Sequence, residues 1–229
     1  MAKRDHFSYE VRLESLLTTT SELLCEVGPN AVTLTAVAAR ANVSRQWLWE
    51  FFPDLDSLYA ELFNRLRIEH LDLVVDAPSD MASLSDYFTA ESWALVQMPT
   101  SAAMLGSYAL NSHGSTSLTQ SKLVAAFYDY VNARWINPMT AEGFTRDDAW
   151  ASTSLILNVA FGFSIGLENG STTADVARRR LAKVIDSALP ELADAVDHRG
   201  AVRELVGASV GAPRLSSSDE DELVYWLDH

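Results

Sequence analysis

The sequence predicts an all-α protein in which a small helix-turn-helix unit precedes a larger helical body. Three observations lead there. Proline and glycine fall at Gly28-Pro29, Pro53, Pro78, Pro99, Gly114, Pro138, Gly143, Gly170, Pro190 and Gly200, leaving segments of helical rather than strand length. Within those segments the apolar residues recur near helical spacing instead of alternating. Between Thr33 and Phe52 there is room for two very short helices separated only by Ala41-Asn42-Val43.

In chain order, the first helix is expected over about residues 8 to 27. It places Leu13, Leu16, Leu17, Leu23, Leu24 and Val27 near one stripe, and Gly28 supplies its stop. Thr33 can N-cap a second helix to about Arg40, and Ser44 a third to about Phe51. Asn42 sits in the turn between them because it tolerates the left-handed backbone that a tight turn needs. Asp54 caps a long fourth helix through about Val75, with Leu58, Leu62, Leu66 and Leu73 on or near one side. Further helices are expected at about 80–97, 100–111, 117–136, 145–168 and 173–188, with a weaker one at 190–206. Residues 207–229 differ: a Gly/Ala/Ser-rich stretch leads into Asp219-Glu220-Asp221-Glu222 and then Leu223-Val224-Tyr225-Trp226-Leu227. Ser218 with Asp221 fits a capping box for a short terminal helix. The expected division is 1–53, 54–206 and the tail 207–229.

Composition narrows the function. With 17 Lys and Arg against 31 Asp and Glu, the formal charge is −14, and the overall field repels phosphate. Any nucleic-acid binding must be local. The one cysteine, Cys25, excludes an internal disulfide and a multi-cysteine zinc site; it reads as a small core residue and suits a reducing cytoplasm. His70 and His113 lack ligand spacing, so no metal and no cofactor are expected. The N-terminus has no apolar signal-peptide core. Ala149 to Leu167 is uncharged over 19 residues, enough to span a membrane, but its Ser, Thr, Asn and Gly content reads as a buried helix.

The stretch Leu16 to Leu58 resembles the DNA-binding domain of the TetR family of bacterial transcription regulators. The resemblance rests on Gly28, Thr33, Val37-Ala38, Ala41-Asn42-Val43-Ser44, Leu48-Trp49, Phe52 and Leu58. It implies that the third helix enters the major groove of double-stranded operator DNA with Arg45, Gln46 and Trp47 outermost. Thr33, Ser44 and Trp49 would hold flanking phosphates, and Lys3 and Arg4 would add an N-terminal arm. The chemistry agrees: Arg reads guanine, Gln can read adenine, and a hydroxyl-capped helix N-terminus holds phosphate. The chain departs from the family in having Asn42 for the usual Gly, Trp49 for Tyr, Phe51 for a frequent His and Leu55 for a phosphate-binding Lys. Residues 1–60 hold 5 basic and 8 acidic residues, a net of 5 − 8 = −3, with Glu50 and Asp56 expected near the phosphates.

Beyond residue 60 the resemblance implies a domain that binds a small effector and forms a homodimer through its last two long helices, in a protein outside the membrane. Gly162 and Gly166, four apart, suit a close helix approach at that interface. Candidate effector contacts are Tyr87, Phe88, Glu91, Trp93, Met98, Met104, Tyr108, Phe127, Tyr128, Trp150, Asn158 and Phe161. Their aromatic and Met content points to an apolar or amphipathic compound, with Glu91 and Glu168 available to orient a cation. Two alternatives stand beside the regulator: a helical binding protein without DNA activity, and a serine hydrolase. The second rests on Gly162-Phe163-Ser164-Ile165-Gly166, with Asp186 or Asp194 and His198 downstream. It requires a strand before Ser164 and a strained turn at it, which the pattern of the chain does not offer.

Overall fold

The computed structural model describes residues 2–75, 83–112 and 121–189, and these are helical with short connections. The helix expected at 190–206, the tail 207–229, His113 and the start of the helix expected at 117–136 lie outside the described residues. The elements are α1 (Ala2–Val27), α2 (Leu34–Arg40), α3 (Arg45–Phe51), α4 (Leu55–Val75), α5 (Leu84–Gln97), α6 (Thr100–Asn111), α7 (Lys122–Val131), a π-helical segment (Asn132–Ile136), α8 (Asn137–Ala141), α9 (Arg146–Glu168) and α10 (Ala174–Ala188).

Hydroxyl caps start most of these helices. Thr33, Ser44, Ser83, Ser121, Thr145 and Thr173 each accept the amide three residues on, satisfying an N–H that the helix itself leaves free. Asp54 does the same for α4 through Ser57, at 2.7 Å. At the other end of α1, Gly28 adopts φ +77° while its N–H bonds the Leu24 carbonyl at 2.9 Å, the stop the sequence implies. Two stripe assignments differ: Val27 and Leu73 are exposed, because each falls at the edge of its helix's buried face. Cys25 is exposed rather than in the core, since Leu23 and Leu24 occupy the inward positions of that turn.

One hydrophobic cluster runs from Leu16 in α1 to Ala188 at the end of α10. α4 joins its two ends. Near its start Leu58 and Tyr59 pack with α1 and the α2–α3 pair, and the Tyr59 hydroxyl donates to the Pro29 carbonyl at 2.9 Å. Farther along, α4 lies against α5 and α7. α9 packs on α5, α6 and α10; it is long and apolar enough to cross a membrane, but it occupies the middle of this bundle.

Pro138 does not break the chain into separate helices as its punctuation suggests. α7 continues through the π segment into α8, with the Asn137 amide bonding the Asn132 carbonyl five residues back. Proline has no N–H for the carbonyl of Arg134, four residues earlier, and the wider turn accommodates its ring. That carbonyl instead accepts the Tyr87 hydroxyl at 3.1 Å.

The same segment supplies the cation for a fully buried carboxylate. Glu91 is completely enclosed and pairs with Arg134, whose Nη2 and Nε both point at its oxygens. The guanidinium also lies over the Tyr87 ring, 5.7 Å from its centroid. Removing one partner of a buried pair strands the other charge, which typically costs about 3–5 kcal/mol, whereas apolar replacement of both is far cheaper. Arg134→Met should therefore lower unfolding free energy by about 3–5 kcal/mol, and Glu91→Leu/Arg134→Met should recover most of that loss, as measured by urea denaturation.

Candidate nucleic-acid interface and ligand cavity

The α2–α3 unit is built by local chemistry. Val37, Ala38 and Leu48 turn inward, and Asn42 takes φ +53°, the only non-glycine residue with positive φ among the described residues. The Val43 amide closes the turn on the Ala38 carbonyl at 3.0 Å. Thr33 and Ser44 are exposed at the starts of α2 and α3, accepting the amides of Ala36 at 3.2 Å and Trp47 at 3.1 Å. Each hydroxyl accepts in its cap and keeps its own proton to donate outward. Arg45 and Gln46, which follow Ser44, are exposed, and Trp49 is 54% exposed, unusual for so large an apolar ring.

Trp47 differs from its expected outermost position. It is half-buried against α1, with ring centroids 4.9 Å from Phe51 and 6.5 Å from Tyr9, and Arg12 lies 5.9 Å over it. The short α3 turns this ring back toward α1, so it orients the helix rather than projecting from it. Asp56 also differs. Its carboxylate accepts the Ser121 hydroxyl and the Lys122 amide, both at 2.5 Å, and so caps α7 instead of facing outward. Leu55 is half-buried against the core. Glu50 remains exposed, and Lys3 and Arg4 fall in the first turn of α1.

The expected effector residues do not converge on one place. Phe127, Phe161 and Met98 line a slot between α4, α5, α6, α7 and α9, together with Phe63, Leu66, Arg67, His70, Leu95, Tyr130 and Leu157. It is narrow, with a cavity volume of about 30 Å³ inside about 410 Å³ of empty space that includes the part open to solvent. Gly106 lets the Phe161 ring lie close to α6, since a Cβ there would come within 2.9 Å of three ring carbons. Tyr87 and Phe88 are core residues, Phe88 stacking on Trp135 at 5.0 Å. Glu91 is neutralised by Arg134 and cannot orient a bound cation. Trp93 holds Arg178 over its ring at 4.4 Å. Met104 and Tyr108 line a shallow groove with Pro29 and Asn30, and Trp150 and Tyr128 line other surface grooves. Asn158 is exposed and bonds the Ser154 carbonyl.

Sequence reasoning missed Phe63, Arg67 and His70. Their spacing with Leu66 on one face of α4 was legible, but that face reads equally as core.

Ser164 lies within α9, 3% exposed, its hydroxyl donating to the Met98 carbonyl at 3.2 Å. Ser164 thus sits inside a continuous helix, without the strand and strained turn that a nucleophile elbow requires, so the hydrolase alternative lacks its geometry, as the sequence pattern implies. Gly162 and Gly166 also separate: the first is open, whereas the second packs on Ser171 and Thr172.

The geometry defines a class: an all-helical protein whose N-terminal helix-turn-helix is joined through one long helix to a helical bundle with an apolar slot. Solved structures share it. A Rhodococcus sp. protein assigned to the TetR family of transcriptional regulators superposes with a TM-score of 0.58 at 18% identity, over 78% of this chain and 99% of that one. A second, a transcriptional regulator from Rhodococcus sp. RHA1, gives 0.50 at 17% identity over 79% and 97%. The chain has their fold. No protein-family model matches the chain, and no curated protein sequence does.

His70 gives the slot a pH-dependent wall. Its Nε2 lies 3.0 Å from the Glu91 carbonyl, which can only accept, so Nε2 carries the proton. In the neutral ring Nδ1 then accepts from the Tyr130 hydroxyl. Burial, outweighing the nearby Glu91, pulls the His70 pKa below its ordinary value, and burial raises that of Tyr130. A lowered folded-state pKa means the unfolded chain binds the proton more readily. Stability should thus be fully present above about pH 6.5 and decline as pH falls through and below that value. Urea melts at about pH 7.5 and 5.5 should show the decline, and His70→Gln should reduce it.

Proposed function

We propose that this protein is a TetR-like transcriptional regulator, acting in the cytoplasm as a repressor. It binds a palindromic operator as a homodimer, and a small apolar or amphipathic effector alters that binding. The observation that most supports this reading is the outer face of α3, where Arg45 and Gln46 stand exposed after the Ser44 cap, while a second exposed hydroxyl cap, Thr33, starts α2; both hydroxyls accept in their caps and can donate to phosphate. A helix kept only for packing gains nothing from that combination. Arg45 and Gln46 read bases, while Thr33, Ser44 and Trp49 fix the register on the backbone. Lys3 and Arg4 add salt-dependent affinity.

One short reading helix covers too few bases for specificity unless a second copy is paired with it, which is why the reading includes a dimer. The exposed stripe Ala151, Leu155, Asn158 and Gly162 on α9 is small or uncharged enough to accept a second copy. The division into a DNA-binding unit over 1–53, an effector-binding and dimerising body over 54–206 and a tail over 207–229 goes with this reading.

Control follows from connectivity. α4 carries Leu58 in the helix-turn-helix core and Phe63, Arg67 and His70 in the slot wall. Asp56 ties the start of α4 to the start of α7, whose Phe127 and Tyr130 form the opposite wall. A compound that binds one spacing of α4 and α7 better than another shifts the orientation of α3.

The test is selection of bound fragments from genomic DNA, followed by gel shifts on the selected site. A palindrome bound by a dimer is expected; absence of any enriched site would leave the helical binding protein without DNA activity. On that site Gln46→Ala should relax preference at one base pair per half-site, at a cost of about 1–3 kcal/mol. An Arg4→Ala change should weaken all sequences alike and flatten the salt dependence.

A further inference from the structure

Charge in and around the slot is distributed unevenly. Its walls are carbon-rich, with Phe63, Leu95, Phe127, Leu157 and Phe161 among the residues that line it. Two groups near it that could hold a negative or positive charge are taken. Glu91 is spent on Arg134, and His70 is held neutral between the Glu91 carbonyl and the Tyr130 hydroxyl. What remains among the lining residues is one formal charge, the guanidinium of Arg67 at the exposed edge.

Among the described residues Arg67 is also without a partner carboxylate. On α4 the positions three and four away are Phe63, Asn64, His70 and Leu71, none of them acidic. Arg65, two residues earlier, shows the contrast: it pairs with Glu14 at 2.5 Å and Glu69 at 3.3 Å. Among the described residues no carboxylate lies within ion-pair distance of Arg67. The overall charge of −14 does not cancel it locally, since charges beyond about 8 Å are largely screened at physiological salt.

We infer that the slot takes an amphipathic monocarboxylic acid, its apolar chain between Phe127, Leu157 and Phe161 and its carboxylate on Arg67. This rests on the effector-binding reading and reverses the charge that Glu91 suggested in the sequence. The planar fork of Arg67 suits two carboxylate oxygens, and an ammonium head would meet repulsion there. Entry requires the slot to widen, and Met98, unbranched and flexible, is the wall residue best able to move.

The experiment uses the full chain and three probes of one length: decanoate, 1-decanol and decylamine. Affinities are read by displacement of the neutral fluorophore N-phenyl-1-naphthylamine and by calorimetry. Decanoate should bind about tenfold more tightly than decanol, and decylamine most weakly. Arg67→Gln should bring decanoate down to decanol, and Arg67→Glu should reverse the order of acid and amine. Ala102→Leu, which fills the slot, should weaken decanoate and decanol alike, with melting temperatures checked for each variant. Equal binding of decanoate and decanol, or an acid preference surviving Arg67→Gln, would overturn the inference. So would failure of every probe to bind a folded chain. None of these readouts involves DNA, so loss of the regulator reading in gel shifts leaves them intact, and their failure leaves operator binding intact.

Discussion

A carboxylate with no exposure to water must find a cation, and in this molecule that requirement organises much of the body. Glu91 on α5 draws Arg134 inward, and Arg134 is carried by the π-helical segment between α7 and α8. The wider π turn is tolerated because Pro138 has no amide to give, and the Tyr87 hydroxyl takes up the carbonyl left over. The Glu91 backbone carbonyl in turn fixes the tautomer of His70, which then fixes the Tyr130 hydroxyl. A chain of satisfied polar groups thus runs from α5 through α4 to α7 behind an otherwise apolar slot. Buried networks of this kind are costly when broken and specific when complete.

That network also decides what the slot can recognise. Neutralising Glu91 removes the negative charge that its position in the sequence advertises, and keeping His70 neutral removes a second candidate. The charge left to a ligand is that of Arg67, on the same face of α4 as Phe63 and His70. α4 therefore links two tasks by simple continuity: its first turns stabilise the helix-turn-helix, and its later turns line the slot. Asp56 strengthens the link by capping α7 from the start of α4, so the two walls of the slot meet next to the helix-turn-helix unit.

At the other end, α3 combines exposure with restraint. Arg45, Gln46 and Trp49 project, while Trp47 is held by Tyr9, Phe51 and Arg12 and sets the helix's seating on α1. A seven-residue helix has little stability of its own. Its orientation comes from Leu48 in the core and from the Trp47 contacts, so the placement of its exposed face depends on packing contacts behind it.

Much of this is legible in the sequence. Helical periodicity, Gly28, the caps at Thr33, Ser44 and Asp54, and the left-handed Asn42 are local properties, set by backbone sterics and neighbouring hydrogen bonds within a few residues. They gave the helices and the turn. Apolar spacing predicts a helix running through Ser121, whereas Ser121 caps α7, a single hydroxyl being a weaker signal than the spacing; Pro138 predicts a break, because the π turn that absorbs proline depends on neighbours distant in sequence. What only the tertiary structure decided was pairing. Whether Glu91 was free or matched, whether Trp47 faced DNA or α1, whether Asp56 met phosphate or a helix end, and which aromatic residues enclosed space rather than one another all depend on groups 40 or more residues apart in most cases. Periodicity determines that a residue turns inward; only the packed chain determines what it meets there, because burial makes the worth of a charge or hydrogen bond depend on its partner.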